Sequence, residues 1–477
     1  MYKGSGPVGS KGKKILAAVL ALLLLSAAIL AAMKSCRPED VTPEDFPEAE
    51  TEVTEASTEA ATEAPTQAPT EAPTEAPTEP KELTVEATAT ITCTGDILMH
   101  DAVIATGLQA DGSYNFDSIF KYVTEYTTGA DYMVGNLETT LCGTENGYRY
   151  AGFPKFNCPD AIVEAAKKAG FDMLLTANNH CYDTGVAGVV RTVKTIAEYG
   201  LDSLGTFETP EDTKYRIVDI NGIRVGMACY TYAAVGKNGL ESINGIPTVS
   251  EVSGLINVFD PRNPEGSCEE LSRQISAMRE DGAECIVMYM HWGQEYSRNV
   301  NASQKELAQA MCDMGVDVII GGHPHVIQPM ELLSSTVDES HKTVCIYSVG
   351  NAVSNQRMGY VAKCPTAHTE DGVLATVTFV RYSDGTVALD STEMIPCWVD
   401  YCKTDNGREF NILPLDPEMK EQWQSLYGLS DKTLQAAQAS YDRTMELVGE
   451  GLEVCRNYLE QAREQRKSDY LAAQTAK

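Results

Sequence analysis

The chain has 477 residues, enough for one large domain or two ordinary ones, with 43% hydrophobic residues and a formal net charge of −31. An acidic excess of that size argues against a nucleic-acid partner, whose phosphates need lysine and arginine. Part of the charge is local: residues 38–80 carry thirteen acidic residues and no basic one, so the remainder is only moderately acidic.

Residues 1–14 form a basic tail holding Lys3, Lys11, Lys13 and Lys14 and no acid. Residues 15–33, "ILAAVLALLLLSAAILAAM", then run nineteen positions without a charge or a proline. As a helix rising about 1.5 Å per residue, that stretch spans roughly 28 Å, close to the hydrocarbon thickness of a bilayer. A cleaved signal peptide has a shorter apolar core, so the segment is predicted to be an uncleaved transmembrane anchor in the cell membrane. Lysines before it and acids after it put the N-terminus in the cytoplasm and the main domain outside. Cys36 follows "MKS", where Lys34 stands in place of the small residue of a lipoprotein signal, and that reading is set aside. Residues 34–83 form an acidic Pro/Thr-rich linker that repeats a four-residue unit, "TEAPTQAPTEAPTEAPTEP". Frequent proline and mutual repulsion keep such a segment disordered, extended and semi-rigid.

From residue 84 strand and helix patterns alternate. "ATATITCTGD" and "ADYMVGNLE" read as strands, "DAIVEAAKKAG" as a helix closed by Gly170, and "FDMLLTANNH" as the strand after it. "AGVVRTVKTIAEYG" is a helix ending at Gly200, and "GIRVGMACYTY" a strand. "CEELSRQISAMREDG" and "SQKELAQAMCDMG" are helices, feeding the strands "AECIVMYMHWG" and "VDVIIGGHPH". "TVCIYSVGN" is another strand, and "DGVLATVTFVRYSDGTVALDSTEMI" a hairpin turning at Asp384 and Gly385. Helices that stop at glycine and feed short apolar strands predict an α/β sheet with covered faces over residues 84–410. Residues 411–477 read as a polar, helical C-terminal extension. Of the fourteen cysteines, Cys93, Cys229, Cys285 and Cys345 sit in strand-like runs as small hydrophobes. No C-x-x-C occurs, which argues against a thiolate zinc site. Cys397 and Cys402 are a candidate disulfide pair.

The strand ends carry the chemistry. Asp96, Asn136 with Glu138, Asn178 to His180, His291, and His323 with His325 close five separate strands. Ligands of open α/β sheets bind beyond the carboxyl ends of the strands. Carboxylate, carboxamide and imidazole donors without thiolate suit Mn²⁺, Fe²⁺, Zn²⁺ or Mg²⁺. Two of the seven histidines flank Pro324. In an extended segment they point the same way, so each can serve one ion of a pair. The preceding glycines are expected to let the backbone turn sharply and approach the ion.

"TGDIL", "NLE", "ANNHCYDTG", "HWG" and "GGHPHVIQPME", in that order, resemble the CapA (capsule and poly-γ-glutamate synthesis) family, which is similar to the calcineurin-like metallophosphoesterases. The resemblance covers residues 92–399. It implies a four-layer αββα metallophosphoesterase-like sandwich. It places Asp96 and His325 on a first ion and Asn179, His291 and His323 on a second. Glu138 would bridge them, where the wider superfamily has Asp. It puts His180 beside the substrate as a catalytic group off the metals. One departure is plain: the phosphoesterases have Asp-x-His in the first motif, and here that position is Leu98. The first site is a ligand short, and His100 is the candidate replacement.

Simpler readings stand beside these. Asp96 as a turn cap and Glu138 as a solvated loop acid are the alternatives for the two carboxylates. Asn178 and Asp183 are expected to order their loop by hydrogen bonds. Arg149, Lys155 and Arg298 are candidate cations for an anionic substrate, against the ordinary reading of lone basic residues as solvated. His341 and His368 read as loop histidines, and Cys181 lacks a base-orienting pattern. Two functions follow. One is a membrane-anchored, extracellular metal-dependent phosphoester hydrolase. The other is a non-catalytic factor of surface-polymer assembly or export that binds an anionic polymer beside membrane components of synthesis and export.

Overall fold

Apolar residues alternate strictly between two destinations along the central strands. Met173 and Leu175, Met227 and Cys229, and Val287 and Tyr289 enter one cluster that lies between two sheets. Their neighbours go to the outer faces: Leu174 packs with Ile162, Val163 and Ile196, and Ala228, Ile286 and Met288 pack with Leu271, Ile275 and Leu307. A period of two with both sets buried means that each sheet is covered on both faces. The result is helix, sheet, sheet, helix, the order the family resemblance implies. The computed structural model describes residues 81–236, 239–405 and 407–475. The predicted basic tail, the anchor and nearly all of the linker lie outside them. Among the described residues no helix is long and apolar enough to cross a membrane.

The first sheet has eight strands. Its order is Gly407–Pro414, Val387–Thr404, Asp371–Tyr382, Val85–Ile97, Tyr132–Leu137, Met173–Leu175 and Asp202–Leu204, and Asn351–Val353 also pairs Val85–Ile97. From Val85–Ile97 to Asp202–Leu204 the pairing is parallel. The second sheet runs Val258–Phe259, Ile223–Tyr232, Cys285–His291, Val318–Gly322, Lys342–Ile346 and Met330–Ser334. Its core pairings are parallel too. Parallel strands bring their carboxyl ends to one edge, so the chemistry-bearing residues of both sheets gather there.

The helices Ala161–Lys168, Gly185–Glu198, Pro264–Glu280 and Ala302–Asp313 connect these strands. Each is followed by a glycine at positive φ, namely Gly170, Gly200, Gly282 and Gly315, as the pattern predicts. The hairpin turns where expected, with the Thr386 N–H donating to Asp384 Oδ1 at 2.9 Å. The strand Gly407–Pro414 crosses the expected boundary at 410 and completes the sheet.

The C-terminal segment is one helix, Asp431–Thr475. It lies on the strands Val387–Thr404 and Met330–Ser334, and it sends Val448, Leu452, Cys455 and Leu459 into the inter-sheet core. Ser440 and Arg443 bind the carboxylate of Asp371, and Arg463 binds Asp390 at 2.7 Å. All thirteen described cysteines are free, so Cys397 and Cys402 are not bridged. Both lie on one extended strand. Five steps of about 3.4 Å hold them roughly 17 Å apart, on opposite faces.

Candidate metal centre

Asp96 ends the first strand fully buried. Its Oδ1 accepts from Asn136 Nδ2 at 2.7 Å. Its Oδ2 accepts the backbone N–H of His323 at 3.2 Å and lies 3.2 Å from His325 Nδ1. These contacts exclude the turn-cap reading. Glu138, one residue beyond the strand Tyr132–Leu137, is also fully buried, which excludes the solvated-loop reading. Its Oε1 stands 3.6 Å from His291 Nε2 and 3.7 Å from His325 Nε2. Asn179 Oδ1 meets His291 Nε2 at 2.7 Å.

Asp96, Glu138 and His291 form one group able to hold a cation, and Glu138, His323 and His325 a second. Glu138 is common to both. The partition differs from the implied one: His291 groups with Asp96, and His325 with His323. His100 belongs to neither group.

The His-Pro-His turn is not extended. His323 has φ 92° and His325 φ 56°. Two left-handed residues, rather than a strand's alternation, bring both rings to Glu138. Gly321 and Gly322 supply room instead of a turn. A side chain at Gly321 would lie 2.0 Å from the Tyr347 carbonyl oxygen, and one at Gly322 would lie 3.0 Å from Asp96 Oδ1.

A cation fits this cluster on physical grounds. Both carboxylate oxygens of Glu138 and Nδ1 of His323 are sealed from solvent without a hydrogen-bond partner. A buried carboxylate left that way costs several kcal/mol unless a positive group offsets it. Burial disfavours the charge on Asp96, but the His325 hydrogen bond and the nearby imidazoles hold its carboxyl below the usual range. Burial likewise opposes protonation of His325, yet Glu138 and Asp96 outweigh it and lift the ring to about 9. His323 is pushed well below its ordinary value by burial and the neighbouring imidazoles. One ring therefore holds a proton where the other offers a lone pair, and an ion would replace that proton.

His180 stands beside the cluster. Its Nδ1 pairs with Asp183 Oδ2 at 2.7 Å, and the same oxygen accepts the Phe156 N–H at 2.7 Å. Asn178 bonds Asn136 Oδ1 at 3.1 Å and the Leu137 carbonyl at 2.9 Å. Asn178 and Asp183 thus order the loop, as expected. A cleft of about 420 Å³ opens onto this edge, lined by Leu98, His100, Phe156, His180 and His325 among others. Arg149 and Lys155 line a second cleft of about 580 Å³, which shares Phe153 with the first. Arg298 lines neither and donates to the Arg443 carbonyl on the C-terminal helix at 3.2 Å. His341 bonds the Val316 carbonyl at 2.9 Å.

Sequence reasoning passed over Asn351, whose Oδ1 meets His325 Nδ1 at 3.1 Å, and Tyr232, whose ring lies 4.8 Å from that of His323. Asn351 closes "SVGN" after a strand, the same signal that marked Asn136.

A family model described as "Bacterial capsule synthesis protein PGA_cap" matches residues 90–356. The capsule biosynthesis protein CapA of Bacillus anthracis is 31% identical over 304 residues, covering 63% of this chain and 66% of that protein. The PGA biosynthesis protein CapA of Bacillus subtilis (strain 168) is 31% identical over 242 residues, covering 50% of this chain and 57% of that protein. The chain thus spans less than two thirds of the length of either relative. Among solved structures, a purple acid phosphatase isolated from yellow lupin seeds aligns with a TM-score of 0.31 at 12% identity, over 65% of this chain and 53% of that one. That likeness is too slight to carry an argument.

Proposed function

The chain belongs to the bacterial capsule synthesis protein family, and from that premise we propose that it is a metal-dependent hydrolase of a phosphoester in capsule or poly-γ-glutamate synthesis, anchored by residues 15–33 with its main domain outside the cell. The observation that carries this reading is the sealed, unpartnered carboxylate of Glu138 shared by two ligand groups. Asp96, Glu138, Asn179, His291, His323 and His325 would hold up to two divalent ions, of Mn²⁺, Fe²⁺, Zn²⁺ or Mg²⁺. Such ions supply Lewis acidity, lowering the pKa of water and offsetting charge on phosphoryl oxygens.

The protein's own groups do the rest. Asp183 holds Nδ1 of His180, a residue of the cleft wall, and leaves Nε2 free to hand a proton to a leaving oxygen. Phe156 packs edge-on against that ring with centroids 4.5 Å apart. Arg149 and Lys155 line the second cleft, where they would meet a substrate that extends beyond the first. The full chain, purified and assayed on a chromogenic phosphodiester with and without Mn²⁺, tests the proposal. Turnover that needs the metal and disappears in His323→Ala is expected. Absence of turnover with metal bound refutes it.

Leu98 favours a second reading. It puts an apolar group on the cleft wall where the phosphoesterase motif has a ligand. Under that reading the site binds an anionic polymer without cleaving it, beside membrane components of synthesis and export.

A further inference from the structure

Two histidines on the cleft wall stand outside both ligand groups, and they are fixed in opposite senses. His180 gives its Nδ1 to a carboxylate, Asp183 Oδ2, at 2.7 Å. His100 does the reverse: its Nδ1 accepts the backbone N–H of Asn355 at 3.3 Å. A ring nitrogen that accepts an N–H carries no proton, so a neutral His100 must carry its proton on Nε2. Burial pushes His100 down to about 4, so the ring stays neutral near pH 7. Both rings pack edge-on against Phe156, His100 at 5.3 Å and His180 at 4.5 Å between centroids. Among the described residues no group bonds either Nε2, and neither atom is sealed from solvent.

The stretch that holds His100 also sets the ligand cluster. Asn351 Oδ1 meets His325 Nδ1 at 3.1 Å, and Asn351 Nδ2 reaches Gln356 Oε1 at 3.2 Å. Gln356 in turn donates to the Tyr296 hydroxyl at 3.2 Å. With the Asn355 N–H on His100, a few consecutive residues fix a metal-site imidazole and a substrate-side imidazole in one register.

We propose that His100 is a substrate-positioning residue, whose fixed Nε2–H donates a hydrogen bond to an oxyanion oxygen of a substrate held in the cleft that His100 and His180 both line. The proposal rests on the metal-site reading above and assigns His100 a role other than the missing ligand. The shared chemistry is an anionic oxygen, from a phosphoryl group or from a glutamyl carboxylate.

The test uses the full chain loaded with Mn²⁺, and the variants His100→Leu, which keeps an apolar side chain without a donor, and His100→Gln, which keeps an N–H at similar reach. Metal content is measured first, then calorimetric affinity for inorganic phosphate and, separately, for glutamate. We expect His100→Leu to retain its metal and to weaken one of the two anions roughly 10-fold, the usual worth of a hydrogen bond to a charged partner. We expect His100→Gln to recover most of that loss. The anion that weakens identifies the source. If the wild type turns over the phosphodiester, KM should rise in His100→Leu more than kcat falls. If it does not, the hydrolase reading fails and the anion affinities alone decide His100. Metal loss in His100→Leu, unchanged affinity for both anions, or binding of neither anion by the wild type overturns the proposal.

Discussion

Glu138→Gln removes one charge and almost no volume, and it strikes both ligand groups at once. Its carboxylate lies 3.6 and 3.7 Å from two imidazole nitrogens, so a single positive charge at that distance is drawn to it by about 4.6 kcal/mol at an effective dielectric of about 20. Even half of that attraction is a roughly 50-fold loss of affinity. A metal present at a hundredfold excess over its dissociation constant stabilises the folded state by about 2.7 kcal/mol. For a domain of this size that corresponds to a rise in Tm of roughly 3–5 °C. After a 50-fold loss the same concentration contributes only about 0.6 kcal/mol, or roughly 1 °C. Thermal melting of the full chain with and without Mn²⁺, alongside elemental analysis, reads this directly. A Glu138→Gln protein that keeps the full metal-induced rise and its metal content would show that the buried carboxylate is not a ligand.

Four further outcomes can be measured. His180→Ala should keep fold and metal but lower turnover by roughly 10²–10⁴, the usual worth of a general acid, whereas His323→Ala should lose metal and activity together; metal loss in His180→Ala contradicts the role assignment. In metal-free protein His325 is lifted from the ordinary histidine value to about 9, so the stability it confers is complete below about pH 6.5 and is lost as pH rises through about 9. A metal must displace that proton, so apparent affinity should rise with pH by up to about tenfold per unit until about pH 9; a titration that is flat between pH 6 and 8 counts against it. Gly451→Ala should destabilise by about 1–3 kcal/mol, because its side chain would lie 1.9 Å from the Met330 carbonyl oxygen; helix propensity alone predicts a gain of about 1 kcal/mol, so a higher Tm would refute the contact. Protease added to intact cells should release the domain by cutting between residues 49 and 83, and cleavage only after lysis would reverse the proposed orientation.

Much of the sheet architecture was legible because the central strands lie between covered faces, and burial on both sides writes continuous apolar runs into the sequence. Glycines closing the helices marked the boundaries because a helix ends readily in a residue at positive φ. The C-terminal helix was legible as a helix but not as part of the core. Its apolar residues are sparse, and Val448, Leu452, Cys455 and Leu459 matter because the strands Val387–Thr404 and Met330–Ser334 receive them at the inter-sheet core. Nothing local encodes that contact.

The metal centre shows where local reasoning stops. The residue types and their strand-end positions were readable one motif at a time. The pairing of ligands depends on how two sheets stack, which sets distances between residues as far apart as Asp96 and His325. The histidine pair was expected to act through an extended backbone, yet both residues adopt left-handed conformations that cost a non-glycine residue roughly 1–3 kcal/mol each. A fold retains such strain where the surrounding contacts over-determine it. Here the His323 N–H is held by Asp96 Oδ2 and the His325 ring by Asp96 and Asn351. The same carboxylate that would bind an ion therefore also fixes the turn that delivers two of its partners. Leu98 lines the same cleft as His100, His180 and His325, so the position from which a further ligand was expected presents an apolar side chain, and the turn and its carboxylate hold the cluster without it.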